Sequence, residues 1–240
     1  EDVVNAEVTC TTITPDTKGK KYIALTFDEG PSSRTSEILD ILKEKDAKAT
    51  FFVSGDKVAA APAAVKAIAE SGNELGTNAY SDVNLGELSA SDLRSQLSDS
   101  FAAVKKAGGG KVSLVRPPFG EFSEQNWADA MDMVSAVVSW NVDSGDWLLP
   151  GAATVADTVV GSVRNGSIVL LTDNETTCAQ TVEALPQIID RLQAEGYEFV
   201  TLSEMIATDD DLKDLVDLSE VRMPKKASLP AVQKDSEQGE

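Results

Sequence analysis

The chain has 240 residues, 42% of them apolar, with 21 basic and 40 acidic side chains, a formal charge of −19 and no histidine. That charge repels polyanions, which argues against nucleic acid and acidic membrane surfaces as partners. No apolar run approaches the roughly 20 residues of a membrane span. Serine- or cysteine-type catalysis of the usual sort is ruled out because both need an imidazole.

Residues 1–21 read as an extended N-terminal segment rich in Val and Thr, and the polar opening at Glu1 reads as that of a trimmed domain. Tyr22-Ile23-Ala24-Leu25-Thr26-Phe27 is a nearly continuous apolar run, as a strand buried on both faces requires. Residues 35–45 carry Ile38, Leu39, Ile41 and Leu42 at helical spacing, and residues 49–53 form a second buried strand. A single Ala-rich helix is expected over 58–71, ending at Gly72. A strand then runs from Glu74 to near Asn78. A long helix over 89–106 opens on a Ser-Ala-Ser-Asp cap and stops at Gly108-Gly109-Gly110. The alternation continues with strands at 111–115, 134–142, 167–171 and 199–202, and helices at 123–131, 154–164, 180–194 and 203–207.

Seven or so strands alternating with helices predict a parallel sheet with right-handed crossovers, closed or nearly closed into a barrel spanning residues 22–216. No Gly-x-Gly-x-x-Gly follows the first strand, which weakens a dinucleotide-binding reading. Residues 217–240 lose apolar periodicity and read as a polar tail or linker. The two cysteines, Cys10 and Cys178, match no zinc spacing. They permit one disulfide in an extracellular setting, or two buried thiols.

A barrel of this kind builds its site from the loops after its strands, and the unusual polar residues fall there. Asp28 and Glu29 follow the first strand, Asn78 and Asp82 the third, and Arg116-Pro117-Pro118-Phe119-Gly120 the fourth. Asp143-Ser144-Gly145-Asp146-Trp147 and Leu170-Leu171-Thr172-Asp173 come at later strand ends. Each has an ordinary reading as a capping carboxylate, a stiff loop or a strand end. Their joint occurrence at successive strand ends carries the signal.

These segments resemble the polysaccharide deacetylases with the NodB-homology domain, carbohydrate esterase family 4. Thr26–Ser32 is similar to T-F-D-D-G-P-S with Glu29 for the second Asp, and residues 72–85 to G-H-E-I-G-N-H-T-Y-S-H-P-N-L. Residues 116–120 resemble R-P-P-Y-G, residues 143–147 fit D-S-x-D-W, and residues 170–173 resemble L-L-H-D. The resemblance implies a distorted (β/α)7 barrel. It places the general base at Asp28, its orienting partner at Arg116 and metal ligands at Glu29, Asn78 and Asp82. It also implies an oxyanion-binding amide near Phe119, a groove wall at Trp147 and an acyl-methyl pocket at Leu170. Thr172 stands at the catalytic-acid position, with Asp143 or Asp146 in support.

The positions that the resemblance assigns to three histidines carry Asn78, Asp82 and Thr172 instead. An all-oxygen set of Glu29, Asn78 and Asp82 would favour Ca²⁺, Mg²⁺ or Mn²⁺ over Zn²⁺ if it held an ion at all. Thr172 has no proton to lend near neutral pH, and general acid–base help is worth about 10²–10⁴-fold. The expectation is a secreted or cell-surface pseudoenzyme. It would bind an N- or O-acetylated glycan, or a protein at the cell surface, without deacetylating it. The alternatives are a metal-dependent deacetylase with an unusual oxygen-ligand site and Asp173 as acid, and an architectural module.

Overall fold

The computed structural model describes residue 13 and residues 19–215 of the chain. Cys10, the tail over 217–240 and, apart from Ile13, the expected extended segment over 3–14 lie outside the described residues. Eight parallel strands form one curled sheet: β1 (Lys21–Gly30), β2 (Ala49–Ser54), β3 (Glu74–Ala79), β4 (Leu114–Val115), β5 (Ala136–Val137), β6 (Val142–Asp143), β7 (Ser167–Thr172) and β8 (Tyr197–Phe199). The order is β5-β4-β3-β2-β1-β7-β6, with β8 pairing the start of β1. Among the described residues no ladder joins β5 to β6, so the barrel is open along that seam.

The period of two in β1 sorts its side chains between two compartments. Ile23, Leu25 and Phe27 pack outward with Ile38, Leu39 and Leu42 of helix α1 (Thr35–Glu44) and with Leu185 and Ile188 of a long later helix. Phe27 stacks on Phe51 of β2 at 5.0 Å between ring centroids. Burying each such ring contributes roughly 1.5–3 kcal/mol. Tyr22 and Ala24 share the interior cluster with Phe52, Leu114, Leu202 and Met205. Asp28 therefore lies in an inward-facing file whose lower half is apolar.

Helices α2 (Gly55–Ala60) and α3 (Pro62–Glu70) replace the single helix expected over 58–71. Pro62 has no amide hydrogen to continue a helix and suits a first helical position, while Ala61 before it leaves the helical region at φ −131°, ψ 58°. Helix α4 (Ala90–Lys106) starts where expected, Ser89 accepting the Asp92 amide, and α5 (Glu124–Ala130) is closed by a Ser123/Asn126 capping box. The strand expected over 111–115 narrows to its last two residues. That expected over 134–142 breaks into β5 and β6, because the chain between them crosses the seam and turns its carbonyls to a side chain. Helices α6 (Ala152–Ser162), α7 (Cys178–Ala194) and α8 (Leu202–Ile206) complete the fold. The last strand ends at Phe199, before the expected 202, because a Thr201/Glu204 capping box starts α8 there. The interior cluster shows α8 plugging the lower end of the barrel.

Candidate functional site

Two register shifts shape the upper end of the sheet. Pairing of β1 with β2 skips between Asp28 and Gly30, which leaves Glu29 as a bulge residue at φ 66°. Pairing of β2 with β3 skips Asn78, and Ala79 follows at φ 117°. Bulges bend a strand and re-aim its side chains, and left-handed non-glycine residues cost of order 1–3 kcal/mol. Side chains hold the Glu29 backbone from both sides. Its N–H donates to Asn78 Oδ1 at 2.7 Å, and its carbonyl accepts from Lys57 Nζ at 2.6 Å.

Below them lies the Arg116 guanidinium, fully buried (0% exposed). Its Nη1 donates to Asp28 Oδ1 at 2.8 Å and to Thr26 Oγ1 at 2.6 Å. Nε reaches the Val138 carbonyl at 3.2 Å and Nη2 that of Ser139 at 3.1 Å, so this one side chain ties the segment after β5 to β1. It stacks between the rings of Phe52 (4.3 Å) and Trp140 (5.6 Å). Asp28 Oδ2 accepts from Asn78 Nδ2 at 3.2 Å, and the same amide nitrogen donates to the Arg116 carbonyl at 3.1 Å. These partners fix the amide's orientation: an N–H faces its oxygen, and a carbonyl and a carboxylate face its nitrogen.

Asp28, Glu29, Asn78, Asp82, Phe119, Asp143, Trp147, Leu170 and Thr172 all line one cleft of about 510 Å³, together with Ser54, Pro117, Pro118 and Trp140. Arg116 and Asp146 act from beneath it. Of its lining, Phe119, at φ 62°, is 68% exposed and Trp147 is 55% exposed. Sequence reasoning left open which aspartate supports position 172. In the structure Asp146 Oδ2 accepts the Thr172 N–H at 2.8 Å, its hydroxyl at 3.0 Å and the Thr181 hydroxyl at 2.7 Å. Asp143 instead accepts the Gly145 amide at 2.9 Å and the Trp147 indole N–H at 3.3 Å.

Asp173, the acid of the alternative deacetylase reading, does not line the cleft. Its carboxylate turns to the hydroxyls of Ser32 and Thr35, both at 2.6 Å, and a Cβ on Gly30 would come within 2.6 Å of it. Spacing alone assigns no role to Trp140, Thr181 or Asn174, whose amide donates to Glu29 Oε2 at 2.8 Å. Trp140 and Asn174 stand beside the strand-end motifs, and Thr181 does not. Among the described residues no three His, Cys, Asp or Glu side chains converge as a metal site would require. Cys178 is buried at the start of α7.

Burial pushes the carboxyls of Asp146, Asp173 and Glu74 above their ordinary range, against the hydrogen bonds that pull them down. The folded state therefore holds protons that the unfolded chain releases, and stability falls as pH rises above about 4, the usual carboxylate value. Exposed Glu37, Asp132 and Asp210 are held low by hydrogen bonds from Arg34, Arg94 and Lys213, and act in the opposite sense below that range. Thermal unfolding is expected to give a higher Tm at pH 4.5 than at pH 8, with a decline below about pH 4. A flat or rising profile from pH 4.5 to 8 would contradict this assignment.

The curled parallel barrel and its strand-end constellation are those of a carbohydrate deacetylase scaffold. The chain belongs to the polysaccharide deacetylase family, whose profile, described as Polysaccharide deacetylase, matches residues 16–137. It is 35% identical over 196 residues to a peptidoglycan-N-acetylglucosamine deacetylase of Bacillus cereus, covering 81% of this chain and 71% of that protein. To the peptidoglycan-N-acetylmuramic acid deacetylase PdaC of Bacillus subtilis it is 35% identical over 187 residues, covering 78% of this chain but 39% of the relative. Among solved structures, a T48 deacetylase with substrate superposes with a TM-score of 0.74 at 30% identity, covering 82% of this chain and 96% of that one. A mutant of a family 4 carbohydrate esterase pseudoenzyme with restored enzymatic activity gives 0.72 at 31% identity, covering 78% and 68%.

Proposed function

We propose that this domain binds an acetylated or partly deacetylated glycan at the cell surface and does not itself release acetate. The observation that carries this reading is the Asn78 amide. At a position the family resemblance gives to a metal ligand, it turns N–H groups to Asp28 and to a backbone carbonyl, and its oxygen to the Glu29 amide. A ligand must offer a lone pair to the ion, whereas here the groove side of Asp28 faces a donor. Glu29 is drawn to Asn174, and Asp82 is exposed in the loop after β3. This donor set does not fit a divalent ion of the zinc type, and position 172 supplies no acid.

The cleft itself persists, with apolar walls and a few polar groups at its base, the usual make-up of a small-ligand site. The named activities of the relatives on peptidoglycan support a cell-wall glycan as the ligand. Acetate release from N-acetylglucosamine oligomers and acetylated xylan is expected to stay at the blank level without metal and with Zn²⁺, Co²⁺, Mn²⁺, Mg²⁺ or Ca²⁺. Release that depends on one of these ions and is lost in Asp28→Asn would overturn the reading in favour of a deacetylase with an oxygen-only site.

A further inference from the structure

We infer that the cleft selects hexosamine units whose amino groups are free over units that carry N-acetyl groups. The inference rests on the reading that this cleft holds a glycan, and it concerns which glycan. The walls supply the first half of the argument. Phe119 and Trp147 stand 68% and 55% exposed in the lining of a cleft of about 510 Å³, which Trp140 also lines. Exposed rings facing a groove of this size suit the C–H faces of pyranose rings.

Charge complementarity then narrows the occupant. Asp28, Glu29, Asp82 and Asp143 all line the cleft, and no lysine or arginine does. Arg116 neutralises Asp28 from below. Lys57 bonds the main-chain oxygen of Glu29 and not its carboxylate. Glu29 is met by the neutral amide of Asn174, and Asp143 by neutral N–H groups. No described side chain pairs with the exposed carboxylate of Asp82. Three carboxylates thus face the groove without a counter-charge. An N-acetyl group offers them only a neutral amide, whereas an ammonium on the same sugar carbon offers a cation with three donors. A sugar bearing ammonium groups satisfies both the rings and the carboxylates.

The test is titration calorimetry of the whole chain with a β-1,4-linked glucosamine tetramer and with its N-acetylated counterpart, at pH 6 and moderate salt. The amino tetramer is expected to bind roughly tenfold more tightly, about what one or two partly exposed charge pairs supply, and to weaken as salt screens them. Because a chain of net charge −19 attracts any oligocation, Asp82→Asn and Trp147→Ala serve as controls. Both side chains are exposed, and each change barely alters the overall field. Several-fold weaker binding in each places the ligand in the cleft. Amino-tetramer binding that neither substitution weakens would reduce the effect to general attraction and overturn the inference. Equal or tighter binding of the N-acetylated tetramer would overturn it while leaving the glycan-binding reading intact. No binding of either tetramer would overturn both.

Discussion

Arg116→Met is expected to destabilise the fold by about 3–5 kcal/mol, the usual loss when one partner of a buried ion pair is removed. The guanidinium is 0% exposed, and its loss strands the Asp28 carboxylate together with the carbonyls of Val138 and Ser139. Burial already pushes the Asp28 carboxyl upward, with Arg116 and Asn78 as the opposing pulls. Without Arg116 that carboxyl would take up a proton at a higher pH still. Arg116→Met combined with Asp28→Leu should recover roughly half of the loss, because the stranded charge is gone while the two carbonyls stay unpaired. Urea unfolding of the single and double variants measures both numbers. A single-variant loss below about 1 kcal/mol would show that water or a rearrangement replaces the guanidinium.

A larger change, this time in activity, is expected from restoring the side chains that the family resemblance assigns to the site. The combined variant Glu29→Asp, Asn78→His, Asp82→His and Thr172→His is expected to release acetate from N-acetylglucosamine oligomers at least about 100-fold above the parent, with zinc or cobalt present. The surroundings favour this outcome. Thr172 already lies against Asp146, whose Oδ1 is buried without a hydrogen-bond partner, so an imidazole there would meet a carboxylate able to hold it. Arg116 and Asp28 remain in place, and a related pseudoenzyme is described as regaining activity by mutation. Thr172→His omitted from the set should remove most of the gain. A folded combined variant that binds zinc yet releases nothing would show that further parts of the cleft have diverged.

The barrel and most of its helices were legible from periodicity because the buried strands are nearly all apolar and the helix ends carry plain signals, Ser89 before α4 and Gly108 after it. The errors fell where one side chain outweighed the pattern. Residues 138–141 read as strand by composition, yet Val138 and Ser139 offer their carbonyls to Arg116 and not to a neighbouring strand. Pro62 and the Thr201-x-x-Glu204 pair were signals present in the sequence and passed over. The cleft-lining residues were found because their motifs stand at strand ends. Trp140, Thr181 and Asn174 were not, since each acts through a contact 35–145 positions away in the chain or through stacking, which spacing does not encode. The bulges at Glu29 and Asn78 were likewise invisible, although they decide where those side chains point.

The gap between β5 and β6 bears on how the groove can accommodate ligands of different girth. Phe119 follows β4, next to one free edge of the sheet, and Trp147 follows β6 at the other. The two aromatic walls are therefore jaws on opposite margins, with no main-chain ladder setting the distance between them. Arg116 holds the start of the connection across the gap by its bonds to the Val138 and Ser139 carbonyls. The spacing of the two rings is thus set by residues 138–141, the connection across the gap, and not by the register of the sheet.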